Sequence, residues 1–269
     1  MNQDQVKSRL LKLEKNVDDF TLIFSGKTSK KVDGLYHPDK REIIIHNRNF
    51  TDENSNVNEN ALMYTAIHEF AHHLQFTRSP VPISSKAHTG NFWDIFHRLL
   101  FDAEEKKVYE NLFKNDSRFV NLTKQIREKF LNVNGQLMKD FGRLLLHAYE
   151  LCIQLNVSFE DYVDRELLLH RKEAKSIMKV FTKDANPELG FENMKMVANI
   201  RDDDIRSMAE EAFAEGKSPD MVKAEFVARP KPENVLERLV TERERIENSI
   251  ERLSVRLRDI EKRIEEIEE

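Results

Sequence analysis

The hydrophobic and polar positions divide the chain into four stretches. In residues 1–50 a short amphipathic helix is followed by two apolar runs, Phe20 to Phe24 and Glu42 to His46. Both are short and rich in β-branched or aromatic residues, as strands are. Turn signals lie between them at Gly26, Asp33-Gly34 and Pro38-Asp39, so a small antiparallel sheet is expected. Over residues 51–130 the period changes to that of helices. One helix is predicted from Asn58 to Thr77, opened by the capping residues Asn56 and Asn58. Pro80 and Pro82 interrupt it within Arg78 to Thr89, a second helix starts near Asn91 and runs past Asp102, and more polar helix follows to about Leu131.

From 136 to 228 the spacing stays helical. Leu137, Phe141, Leu144, Leu145, Ala148, Cys152 and Leu155 mark one long amphipathic helix. Shorter helices follow, with breaks expected near Asn156, Asp184 to Pro187, and Gly216 to Pro219. Residues 229–232 read as a linker. Beyond them a heptad repeat begins. Leu236, Ile250, Leu257 and Ile264 hold one core position, and Leu239, Ile246, Leu253, Ile260 and Ile267 hold the other, with Arg243 as the single interruption. Such a seam cannot bury itself, so it either pairs with a second copy or folds back, and a homodimer through this coiled coil is expected. The fold class is therefore α+β and mostly helical. Its three parts are 1–130, a helical domain at 136–228 and a coiled coil at 233–269.

Composition narrows the picture. Over 269 residues, 34% are charged and only seven are glycine, which favours helices over a sandwich or barrel. No apolar run is long enough to cross a bilayer, so no membrane partner is expected. The single cysteine, Cys152, cannot form an internal disulfide, and this points to a reducing, cytoplasmic setting. A net charge of -5 gives no global attraction to nucleic acid.

Chemistry enters with His68-Glu69-Phe70-Ala71-His72. On a helix, positions four apart share a face, so His68 and His72 can grip one Zn²⁺. Glu69 stands beside them, placed to take a proton from a water that zinc makes acidic near neutrality. Leu62, Ala66, Phe70 and Leu74 are expected to pack inward. A catalytic zinc usually has three protein ligands and a water. The favoured third ligand is His88, between the proline-containing loop and the next helix, with Phe92 and Trp93 packing beneath the site. Glu104 and Glu105 are rivals, and His97 a weaker one. His73 points elsewhere around the helix and reads as a supporting polar residue or a transition-state stabiliser, a role for which Tyr36, Tyr64 and His97 are equal candidates. The strand Glu42 to His46 is a candidate to hold an extended substrate by β-augmentation.

The combination HEFAHH, a loop, and then His88-x-x-x-Phe92-Trp93 resembles the SprT-like metallopeptidases and their YgjP-like relatives, over roughly residues 30–110. The resemblance implies a zincin-like fold for residues 1–130, zinc ligands at His68, His72 and His88, and Glu69 as catalytic base. Two departures stand out. Several members have Gly directly after the third histidine, where this chain has Thr89 before Gly90, and the zinc-ribbon cysteines of some members are missing.

The middle region carries its own pattern. A helix opening near Ser158, with Phe159, Tyr162 and Val163 inward, a turn around Leu168 to His170, and a basic helix from Arg171 to Phe181 have the layout of a helix-turn-helix. Ala174, Ile177, Met178 and Phe181 face inward, and Arg171, Lys172, Lys175 and Lys179 face outward as candidate DNA contacts. The stretch loosely resembles helix-turn-helix domains of plasmid-partition-type proteins, which often precede coiled coils. An ordinary helical bundle with a solvated basic face fits the same pattern. The acidic residues Asp202 to Asp204, Glu210 and Glu211 make the following segment a poor phosphate surface.

The sequence thus predicts a zinc metallopeptidase acting on protein or peptide, with DNA-associated protein as one class of substrate. The alternatives are a DNA-binding or scaffolding dimer with a regulatory or inactive zincin-like domain, and a purely structural zinc site.

Overall fold

The structure, a computed structural model, describes residues 1–52, 56–83, 87–227 and 235–268. The predicted linker 229–232 and the first residues of the predicted coiled coil lie outside them. Helix α1 (Gln3–Leu13) starts at a capping box, in which Asn2 and Gln5 exchange side-chain to backbone hydrogen bonds of 2.9 Å each. It buries Val6, Leu10 and Leu13.

Three short strands follow, β1 (Thr21–Phe24), β2 (Gly34–His37) and β3 (Glu42–Ile45), in the sheet order β1-β3-β2. β2 and β3 are an antiparallel hairpin turned at Pro38 to Arg41, where Arg41 takes φ 50°. β1 and β3 pair in parallel, Thr21 opposite Glu42 through Phe24 opposite Ile45. The sheet is therefore mixed and not the antiparallel sheet expected. A parallel pair needs a long crossover, and here β2 itself lies within it. Gly34 is also more than a turn signal, since it opens β2.

Helix α2 (Glu59–Arg78) is capped by Asn58, whose side chain accepts from the Ala61 amide at 3.0 Å. It is the axis of the first core. Leu62, Ala66, Phe70 and Leu74 are buried as expected, and Met63, Ile67 and Ala71 are buried with them, so the helix is enclosed on most sides. Helix α3 (Gly90–Glu105) packs on it through Phe92, Phe96, Leu99 and Ala103.

Beyond a left-handed turn at Lys107 come α4 (Leu112–Asn115) and α5 (Ser117–Ile126). A π-turn at Arg127–Leu131 joins α5 to α6 (Asn132–Gln154). A second core is built on α6. It includes Leu145, Cys152, Phe159, Ile177, Met194, Ala209 and Val222, drawn from α6, α7 (Phe159–Asp161), α8 (Arg171–Thr182), α9 (Phe191–Ala198), α10 (Asp203–Ala214) and α11 (Pro219–Val222). The predicted breaks coincide with left-handed residues at Asn156, Asp184 and Gly216. Pro187 and Pro219 then open the next helical turns, each behind a capping Asn or Ser.

The two cores touch where α11 meets α3, and there His97 Nδ1 and Ser218 Oγ are 2.8 Å apart. The last element, α12 (Val235–Glu268), is one helix of 34 residues. No helix is long and apolar enough to cross a membrane among the described residues.

Candidate metal centre

Helix α2 sets His68 and His72 one turn apart on the face turned towards α3. His88 reaches them from the segment just before α3. Its Nε2 lies 3.1 Å from His68 Nε2 and 3.2 Å from His72 Nε2, and the three ligand atoms fall within 4.8 Å of one another. Zinc at about 2.05 Å from each nitrogen in a tetrahedral site puts ligand nitrogens about 3.3 Å apart. The donor set and its spacing therefore fit Zn²⁺.

An aromatic floor holds the imidazoles. Phe92 is fully buried, stacks on His72 with ring centres 4.3 Å apart, and meets His68 and His88 edge-on at 4.9 and 4.7 Å. Trp93 lies against His88 and Phe96 against His68. Phe92 and Trp93 thus pack under the site as their place in the sequence predicts. Burial, reinforced by the neighbouring imidazoles, lowers His68 and His72 to about 4, so both are neutral donors at pH 7. His88 is exposed and forms the open rim.

Glu69 lies between His68 and His72 in sequence and is only 6% exposed. Burial raises its carboxyl from 4.5 to about 7. Its neighbour is Gly34 at the start of β2. A Cβ there would lie 2.8 Å from Glu69 Cγ and 3.0 Å from Glu69 Oε1. The missing side chain of Gly34 is thus the space Glu69 occupies.

The rivals for third ligand are elsewhere. Glu104 binds Asn111 and Lys114, each at 2.8 Å, and with Glu105 it ends α3, about 22 Å along the axis from Thr89 at 1.5 Å per residue. His97 is held by Ser218. His73 is fully buried, with Nδ1 3.1 Å from Tyr36 Oη and Nε2 2.9 Å from the Asp18 carbonyl. It ties α2 to β2 and to the chain before β1 through both ring nitrogens. Tyr64 stands one turn before His68, exposed, with its ring edge-on to Phe96.

The β-augmentation expected of Glu42 to His46 is excluded, because β3 is the central strand with a partner on each side. The edge strand beside Glu69 is β2.

Reading the sequence alone missed Gln75. It is buried three residues after His72, and its amide spans His72 Nδ1, the Ala87 carbonyl and Thr89 Oγ1. A glutamine three positions beyond a ligand on one helix face was the available signal.

The four candidate DNA contacts are exposed along α8. Arg171 is bound by Asp164, Lys175 pairs with Glu160 at 3.4 Å, and Lys179 donates to Asn199 at 2.8 Å. Ala174 and Ile177 face inward as expected, together with Val180, while Met178 and Phe181 are half-buried. Acidic and amide neighbours thus engage three of the four polar groups that a phosphate backbone would need. Comparison of the chain with family models, with characterised proteins and with solved structures found no match.

Proposed function

We propose that the chain is a zinc-dependent peptidase whose metal ligands are His68, His72 and His88 and whose general base is Glu69. The observation that carries this reading is the convergence of three imidazole Nε2 atoms, with the buried carboxyl of Glu69 carried by the same helix next to His68 in sequence. Bound zinc would supply Lewis-acid polarisation of a peptide carbonyl and a water acidic near neutral pH. Three protein donors leave a fourth position open, as catalytic sites do. A structural site has no use for a carboxyl of this kind. A carboxyl on the metal-binding helix can take a proton from water and return it to a leaving amine, the requirement for a general acid–base.

A peptide substrate is favoured by β2. It is an edge strand that begins against Glu69, and its outward Leu35 is exposed, so an extended chain laid along it would pass the base. Two of the four basic side chains on α8 pair with carboxylates, and DNA is left out of this reading. The proposal places the protein in a reducing setting such as the cytoplasm, in keeping with its single, buried Cys152. It also includes a homodimer through α12.

The test is Glu69→Gln, assayed on unfolded protein and on mixed fluorogenic peptides. The variant is expected to retain zinc at wild-type stoichiometry and to lose about 10²–10⁴-fold in kcat/KM. Wild-type turnover by this variant refutes the mechanism.

A further inference from the structure

Gln75 is 3% exposed, in the last turns of α2. Its Nε2 donates to the Ala87 carbonyl at 2.8 Å and to Thr89 Oγ1 at 3.2 Å, and its Oε1 faces His72 Nδ1 at 3.4 Å. The orientation of the amide follows from these partners. A backbone carbonyl only accepts, so the NH₂ group must face Ala87, and the oxygen is then the atom facing His72. An amide oxygen also only accepts. The ring proton of His72 therefore belongs on Nδ1, leaving the Nε2 lone pair directed at the point where the three imidazoles meet.

Ala87 and Thr89 flank His88. One buried side chain thus touches a ligand on α2 and both neighbours of the ligand that arrives from α3's side. Thr89 occupies the N-cap position of α3 yet makes no capping hydrogen bond with its side chain. Its hydroxyl is engaged by Gln75 instead. This also gives a purpose to Thr89, the residue at which the sequence departs from the family it resembles.

We infer that Gln75 is the positioning residue of the metal centre, fixing the tautomer of His72 and fastening the His88 segment to α2. The inference rests on the metal reading above and adds a specific route by which the site is preorganised. Ligating histidines generally depend on such an acceptor for their second nitrogen, and losing it commonly costs 10–100-fold in metal affinity. Here the same amide also restrains the third ligand, so its two functions are separable.

The experiment uses the full chain and its Gln75→Met variant, which keeps the side-chain length and removes the three hydrogen bonds of the side-chain amide. Zinc affinity is measured by competition with a chromophoric chelator, and the tautomer of His72 by ¹⁵N NMR of the zinc-free protein. Wild type is expected to show His72 as the Nδ1–H tautomer. Q75M is expected to show a mixture and to bind zinc about 10–100-fold more weakly. In a His88→Ala background the same substitution is expected to cost less, because the fastened segment no longer carries a ligand. A generic loss of stability would not produce that coupling. Thr89→Val, at an exposed position, removes one of the three bonds and serves if Q75M does not fold. It is expected to weaken zinc a few-fold, and an unchanged affinity counts against the link. If folded Q75M binds zinc as tightly as wild type, with His72 in the same tautomer, the inference falls and the metal reading stands. If wild type binds no zinc at all, both fall.

Discussion

Burial moves the titratable side chains of the centre in opposite directions. His68 and His72 fall from 6.5 to about 4, first through burial and then through the neighbouring imidazoles. Between those values the unfolded chain binds protons that the folded one does not, so metal-free protein gains stability as pH rises from 4 to 6.5. Glu69 is the reverse case. Burial raises it from 4.5 to about 7, and across that window the folded state holds a proton the unfolded chain has released. Its contribution is present below 4.5 and is lost as pH rises towards 7. Replacing Glu69 with Gln removes only this second component. In zinc-free protein, the melting temperature of E69Q relative to wild type is therefore expected to climb from pH 4.5 to 7 and then level off. Thermal denaturation in the presence of a chelator measures it, and a difference that does not vary with pH means that Glu69 does not titrate in this window. Of these residues, His68, Glu69 and His72 were legible in the sequence because their geometry is local: four positions along a helix give one face. His88 was legible from its place between a broken loop and a new helix. Gln75 was not singled out, because half of its function depends on where Ala87 and Thr89 come to rest.

At the scale of elements, the position of Glu69, the proposed base, depends on how closely β2 can approach α2. Gly34 permits that approach. An added Cβ would stand 2.8 Å from both Glu69 Cγ and Thr65 Cγ2, inside any real contact. Gly34→Ala must then push the strand away or swing Glu69 aside. Overpacking of this kind typically costs about 1–3 kcal/mol. The proposed ligands lie outside β2, so G34A is expected to bind zinc normally while kcat falls. Equal stability and equal kcat in G34A rule out a tight Gly34–Glu69 contact. β1 and β3 were readable as apolar runs, but β2, which lies among the turn signals between them, and the strand order were not. A strand's identity is written in its own residues, whereas the insertion of β3 between β1 and β2 depends on the path of the connecting chain. The breaks at Asn156, Asp184 and Gly216 were readable because turn chemistry is local. The ion pairs that occupy α8's basic face join residues seven and fifteen positions apart, and periodicity says nothing about them.

For the whole molecule the open question is what meets α12. The helix is about 51 Å long, and seam residues Leu239, Ile246, Ile250, Leu253, Leu257 and Ile260 are between 41% and 65% exposed. Strict two-in-seven spacing is the mark of a supercoiled pair rather than of a helix laid on a globular core. Flanking charges then select the orientation. In a parallel pair, Glu242 would face the partner copy's position 247, also Glu, and Arg243 would meet its own copy in the seam. In an antiparallel pair centred between 251 and 252, Glu242 meets Arg263. Residues 240–251, with four acidic and two basic side chains, then run beside 252–263, with five basic and two acidic. An antiparallel dimer is therefore expected, with twice the 31.7 kDa chain mass in sedimentation. In this register position 239 lies opposite 264. A mixture of Leu239→Cys and Ile264→Cys chains is expected to form a mixed disulfide under mild oxidation, and L239C alone to form none. Self-crosslinking of L239C reverses the orientation. A monomer at every concentration overturns the dimer.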